Sequence, residues 1–147
     1  MIPTAAETAV SVFGKSFNCA QSVFSAFAAQ FGLPGRTALK LASPFGGGVA
    51  RRGETCGAVT GALLVLGLVR GADTPTGKEA IYQLSQEFMR RFEAKHGTLL
   101  CRALLDCDIS TPEGWQKAKE AGRLTSVCPV LVRDAAEIVQ TLLETTI

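Results

Sequence analysis

The chain has 147 residues, 47% hydrophobic and 19% charged, which is ample material for one core and leads us to expect a single domain over residues 1–147. Its formal net charge of +2, with Lys and Arg scattered along the chain, excludes the basic footprint of a nucleic-acid binder. The longest strongly apolar run, residues 62–69, is far short of the roughly 20 residues a membrane helix needs, and Met1 to Glu7 form neither a basic start nor an apolar signal core. The expectation is a cytoplasmic protein with no nucleic-acid or membrane partner. In such a reducing compartment, cysteines point to metal ligation or reversible redox chemistry before structural disulfides.

Ala5, Ala9, Val12 and Phe13 suggest a first helix. Asn18 is a good N-cap for a second, residues 18–31, in which Val23, Phe24, Phe27, Ala28 and Phe31 recur at spacings of three and four before Gly32 and Pro34 stop it. A short helix follows over residues 37–42. Residues 55–69 form the most apolar helix and should lie centrally. Gly57 and Gly61 share one of its faces, where they allow close approach of another helix.

After a turn from Asp73 to Gly77, Ile81, Leu84, Phe88 and Phe92 mark a long helix ending near His96 and Gly97. A short helix carries Leu100, Cys101, Leu104 and Leu105, and Thr111-Pro112-Glu113 starts a polar one around Trp115. Leu131, Ala135, Ile138 and Leu142 mark a closing helix after Pro129. With few stretches alternating at a strand period, the expected fold is all-α, an orthogonal or bundle-like array of about five to seven helices.

The cysteines share a position. Cys56 opens a predicted helix after the loop from Phe45 to Thr55, Cys19 follows Asn18, Cys128 precedes Pro129, and Cys101 lies three residues after Thr98. The first turn of a helix has N–H groups without intrahelical acceptors and a positive dipole end, so a thiolate is favoured there. Cys56 is accordingly expected to ionise, helped by Arg51, Arg52 and the backbone N–H groups of the glycine-rich loop.

These residues also carry a resemblance. Asn18-Cys19-Ala20-Gln21-Ser22-Val23, Phe45-Gly46-Gly47-Gly48, Arg51 with Gly53-Glu54-x-Cys56-Gly57-Ala58-x-x-Gly61-Ala62-Leu63, Cys101-Arg102-x-Leu104-Leu105 and Val127-Cys128-Pro129 resemble the C_GCAxxG_C_C family over nearly the full length. The resemblance implies that Cys19, Cys56, Cys101 and Cys128 are the family's four thiols, that Arg51 and Glu54 belong to the pattern and that Cys107 lies outside the chemistry.

The first reading is dithiol/disulfide chemistry, with Cys56 attacking and Cys19, Cys101 and Cys128 resolving or accepting. Gly47, Gly48 and Arg51 would line the substrate side, and the partner would be a redox protein or a small-molecule substrate. This reading requires no cofactor. The alternative is a metal site with Cys19, Cys56, Cys101 and Cys128 as ligands for zinc or an iron–sulfur cluster, although their long spacings lack any Cys-x-x-Cys. A third class is an interaction module in which Phe13, Phe17, Phe24, Phe27 and Phe31 build a homo-oligomer surface, against which their spacing favours a core. His96, the only histidine, is explained by the C-terminal end of a helix dipole, and no Ser-His-Asp set can be drawn.

Overall fold

The computed structural model describes residues 1–145. The α-helices are α1 (Ala5–Gly14), α2 (Cys19–Ala28), α3 (Gly35–Ala42), α4 (Gly57–Arg70), α5 (Lys78–His96), α6 (Cys101–Leu105), α7 (Pro112–Glu120), α8 (Arg123–Ser126) and α9 (Cys128–Thr145). The class is all-α as expected, with no strand among the described residues. The expected number of helices is slightly low. The excess comes from single turns: α8, four residues long, has no room for an apolar repeat and starts after Gly122, which is left-handed at φ 70°.

Local chemistry sets the starts. Thr4 and Asn18 each make a capping box, with Glu7 and Gln21 respectively, so two otherwise unpaired N–H groups are satisfied at each helix. At α2 the box reaches further, because the Gln21 amide donates to the Leu39 carbonyl at 3.0 Å and the Asn18 amide to that of Ser43 at 3.1 Å. These bonds fasten α3 and the segment after it to the end of α2 that bears Cys19. Gly32 and Gly97, left-handed at φ 86° and 84°, stop their helices where the sequence placed the stops.

The apolar helix α4 lies centrally, packed against α2, α5 and α9. Its glycines explain the closeness of α2. A Cβ on Gly61 would stand 2.7 Å from the Ala20 carbonyl oxygen, and one on Gly57 would stand 3.1 Å from the Cys19 Cβ. Backbone therefore meets backbone along this seam, and the start of α2 is drawn against the start of α4. Phe24 and Phe27 are buried in the same core, whereas Phe31 stays exposed, so the phenylalanine series is mainly core.

A second, smaller core gathers Leu105, Ile109 and Ala118 from α6, α7 and the loop between them, together with Cys101 and Cys128. Cys56 belongs to the main core, and Cys19 packs against both. The thiols thus lie along the junction of two apolar clusters.

Candidate functional site

A cavity of about 910 Å³ opens at that junction, and Cys19, Cys56, Cys101 and Cys128 all line it. Each reaches it from the start of a helix. Cys19 is the first residue of α2, Cys56 the N-cap of α4, Cys101 the first residue of α6 and Cys128 the first of α9. Cys107 does not line the cavity. One local detail differs from the sequence reading: Leu100 holds the N-cap position of α6, and the Thr98 hydroxyl accepts from the Leu100 N–H at 3.1 Å.

Backbone bonds register the second and third thiols. The Cys56 N–H donates to the Leu99 carbonyl at 2.8 Å and the Cys101 N–H to that of Glu54 at 2.6 Å, around an antiparallel bridge between Thr55 and Leu100. Two segments more than forty positions apart are thereby clamped side by side, each presenting a cysteine.

The loop before Cys56 departs furthest from ordinary backbone. Gly47, Gly48, Val49, Ala50 and Arg51 all have φ between 50° and 70°, a continuous left-handed turn. For residues with a Cβ this conformation costs about 1–2 kcal/mol each. Gly47 and Gly48 could not carry side chains at all, since a Cβ would come within 2.7 Å of the Arg51 Cα and 2.6 Å of the Cys101 Cβ respectively. Their place in the site is to bring backbone against Cys101 and Arg51. The N–H groups of Ala50, Arg51, Arg52, Gly53 and Glu54 are consumed by carbonyls of residues 44–49, so this part of the loop is not the free donor row the sequence suggested. Strain of this kind concentrates at functional sites.

The electrostatics overturn the expectation that Cys56 ionises. Cys56 is 3% exposed, and burial pushes its thiol up to about 11 although the Ala58 and Val59 N–H groups at the start of α4 pull the other way. A nearby Cys128 charge raises it further, and Arg51 makes no contribution. Burial likewise pushes Cys101 up to about 12. The low thiol is Cys128, held below its ordinary value because Cys19 donates a hydrogen bond to it, which outweighs its own burial. Cys19, the donor, is correspondingly held well above. Of the two neighbouring sulfurs, Cys128 is the one on which a negative charge is favoured.

The Arg51 guanidinium lies 3.9 Å from the centre of the Trp115 ring, a cation–π contact that joins the loop to α7 at the cavity rim. Sequence reading missed Trp115 as part of the site. A lone tryptophan on an otherwise polar helix was the available signal.

His96 closes α5 as expected, but its surroundings hold a residue not anticipated. Its ring tilts on Phe92 with centroids 4.7 Å apart, and Nε2 lies 2.9 Å from the buried Asp134 carboxylate, off the line of a good hydrogen bond. Lys95 reaches the other Asp134 oxygen at 3.5 Å. This group belongs to the α5–α9 packing and does not line the cavity.

As ligands for zinc or an iron–sulfur cluster the thiols fit poorly. Four thiolates would supply the right donor set, yet among the described residues no three His, Cys, Asp or Glu side chains are grouped to hold a metal ion. The sulfurs share a wall without sharing a centre. Among the described residues, no helix is long and apolar enough to cross a membrane.

No curated protein and no solved structure gives a match to the chain. A family profile does match, over residues 17–142, which includes every residue lining the cavity except Phe13, Gly14 and Ser16. The chain belongs to the family described as "Putative redox-active protein (C_GCAxxG_C_C)".

Proposed function

We propose that this chain is a thiol–disulfide redox protein in which Cys128 carries the attacking thiolate and Cys19 is the resolving thiol. The observation that supports it is the cavity that the four family cysteines line, on whose wall Cys128 is held low beside Cys19. A thiolate is the nucleophile in disulfide exchange, and a neighbouring thiol is needed to release the mixed disulfide.

The Cys128 thiolate attacks one sulfur of a disulfide R–S–S–R; the S–S bond breaks, a Cys128–S–R bond forms, and RS⁻ departs with the proton of Cys19. The resulting Cys19 thiolate attacks the Cys128 sulfur, forming the Cys19–Cys128 disulfide and releasing the second RS⁻, which takes its proton from water. Two electrons pass from the protein dithiol to the substrate disulfide, which leaves as two thiols. Cys56 and Cys101 remain protonated thiols beside this pair, and the apolar walls around them keep them so.

The test is a trapping experiment on reduced, metal-free protein. With an organic disulfide, wild type should form a Cys19–Cys128 disulfide, while Cys19→Ser should stop at a mixed disulfide mapped to Cys128. Cys128→Ser should lose the reaction and Cys107→Ser should keep it. Trapping on Cys56, or iron or zinc bound in fixed ratio with no disulfide formed, would overturn the reading.

A further inference from the structure

Beside the thiol cavity lies a second one of about 760 Å³, and its lining is charged where the first is apolar. Arg51, Arg52 and Arg102 face it with a single carboxylate, Glu54. Glu54 is already paired with Arg52 at 3.0 Å. Arg102 feels Asp108, whose carboxylate is occupied by the Ser110 hydroxyl and N–H. Arg51 makes no ion pair among the described residues, and its guanidinium lies over the Trp115 ring. Positive charge is therefore left over, on Arg102 of α6 and on Arg51, which the strained loop delivers to the Trp115 ring.

The two cavities are neighbours. Arg51 and Trp115 line both, as do Ala50 and Ile109. A molecule seated among the arginines would have its far end directed past Trp115 into the space bounded by the cysteines. Guanidinium groups bind carboxylate and phosphate oxygens through paired N–H donors, so an anionic group is what this rim is suited to hold.

We propose that the arginine-lined cavity binds the anionic end of the redox substrate, which makes that substrate a small anionic disulfide, or the thiol it yields. The proposal rests on the thiol–disulfide reading above. Arg51 and Arg102 hold the anion, Trp115 covers the chain between anion and sulfur, and the disulfide lies against the thiol pair. The left-handed turn then has a purpose: it delivers Arg51 to the rim from the same five residues that bring Gly48 against Cys101.

The test compares three disulfides of similar length: 3,3′-dithiodipropionate, bis(2-hydroxyethyl) disulfide and cystamine, which carry negative, no and positive charge. Oxidation of the reduced protein should be fastest with the dicarboxylate. The ratio of its rate to that of the neutral disulfide should fall about tenfold in Arg102→Gln and in Arg51→Gln, and stay as in wild type in Arg36→Gln, which lies away from both cavities. Suberate, the sulfur-free analogue of the dicarboxylate, should change the fluorescence of Trp115, the only tryptophan, and should compete with the reaction. Inorganic phosphate as competitor tells the two anion chemistries apart: stronger competition than suberate assigns a phosphate-bearing substrate, weaker a carboxylate-bearing one. Equal rate ratios in wild type and both arginine variants, with no response to either anion, would overturn the proposal and leave the redox reading standing. Suberate binding without oxidation by any disulfide would overturn the redox reading instead, and with it the identification of the anion as part of a redox substrate.

Discussion

The seam between α2 and α4 and the loop of residues 46–54 both bring backbones into contact, and they do so by opposite means. In the seam, Gly57 and Gly61 keep ordinary helical geometry, and what they remove is the Cβ that would separate two helices. In the loop, Val49, Ala50 and Arg51 keep their side chains and accept a backbone conformation that disfavours them. The seam lowers the energy of the fold, whereas the loop raises it and delivers Gly48 and Arg51 to the cavity rim. The run of consecutive left-handed residues thus lies beside the thiol cavity, whereas Ser16 and Asp106 are left-handed singly.

The largest effect that would break this comparison lies in the seam. Gly61→Leu forces a branched side chain into the Ala20 backbone, where even a Cβ has no room, and should cost at least about 3 kcal/mol in urea unfolding. A loss below about 1 kcal/mol would mean that the helices are not in backbone contact.

The second effect follows from burial at the site. A thiol whose folded value is raised keeps its proton after the unfolded chain has lost it, so the folded state binds more protons and stability falls as pH rises. For Cys56 the window runs from the ordinary thiol value of 9.0 to about 11, with a slope of about 1.4 kcal/mol per pH unit. Cys56→Ser should flatten the alkaline stability profile relative to wild type, read by denaturant midpoints across that window. An unchanged profile would place Cys56 in contact with solvent.

The smallest effect sharpens the contrast most. Ala50→Gly relieves a left-handed alanine at an exposed position and should stabilise by about 0.5–1 kcal/mol, net of the greater freedom of glycine in the unfolded chain. The same change at exposed Ala80 of α5 should destabilise by about 0.5–1 kcal/mol. Equal signs in thermal or chemical unfolding would contradict the strained loop.

What the sequence disclosed follows the same division. The longer helices were legible because apolar residues at three- and four-residue spacing leave few other folds, and the Gly57–Gly61 pair announced its close neighbour. The four cysteines could be grouped by their shared place at helix starts. Three things stayed hidden. A single turn such as α8 has too few residues for any period. A left-handed run through Val49, Ala50 and Arg51 runs against the preference of each residue in it, so no local rule proposes it. At Cys56 two facts of the sequence oppose each other: a helix start favours the thiolate, and the helix it starts is the most apolar of the chain. Burial outweighs the dipole at Cys56, and the thiol held low is Cys128, beside Cys19.

Competitive alkylation tests the order of the thiols, Cys128 low and Cys56 high, most directly. Reduced protein at neutral pH is exposed to limiting iodoacetamide, and the labelled cysteine is identified by peptide mass spectrometry over a series of pH values. Among the cavity thiols, Cys128 should be labelled first, its rate falling as pH drops through a value below the ordinary 9.0, while Cys56 and Cys101 gain label only as pH approaches about 11 and about 12. Labelling of Cys56 ahead of Cys128 at neutral pH would contradict the account.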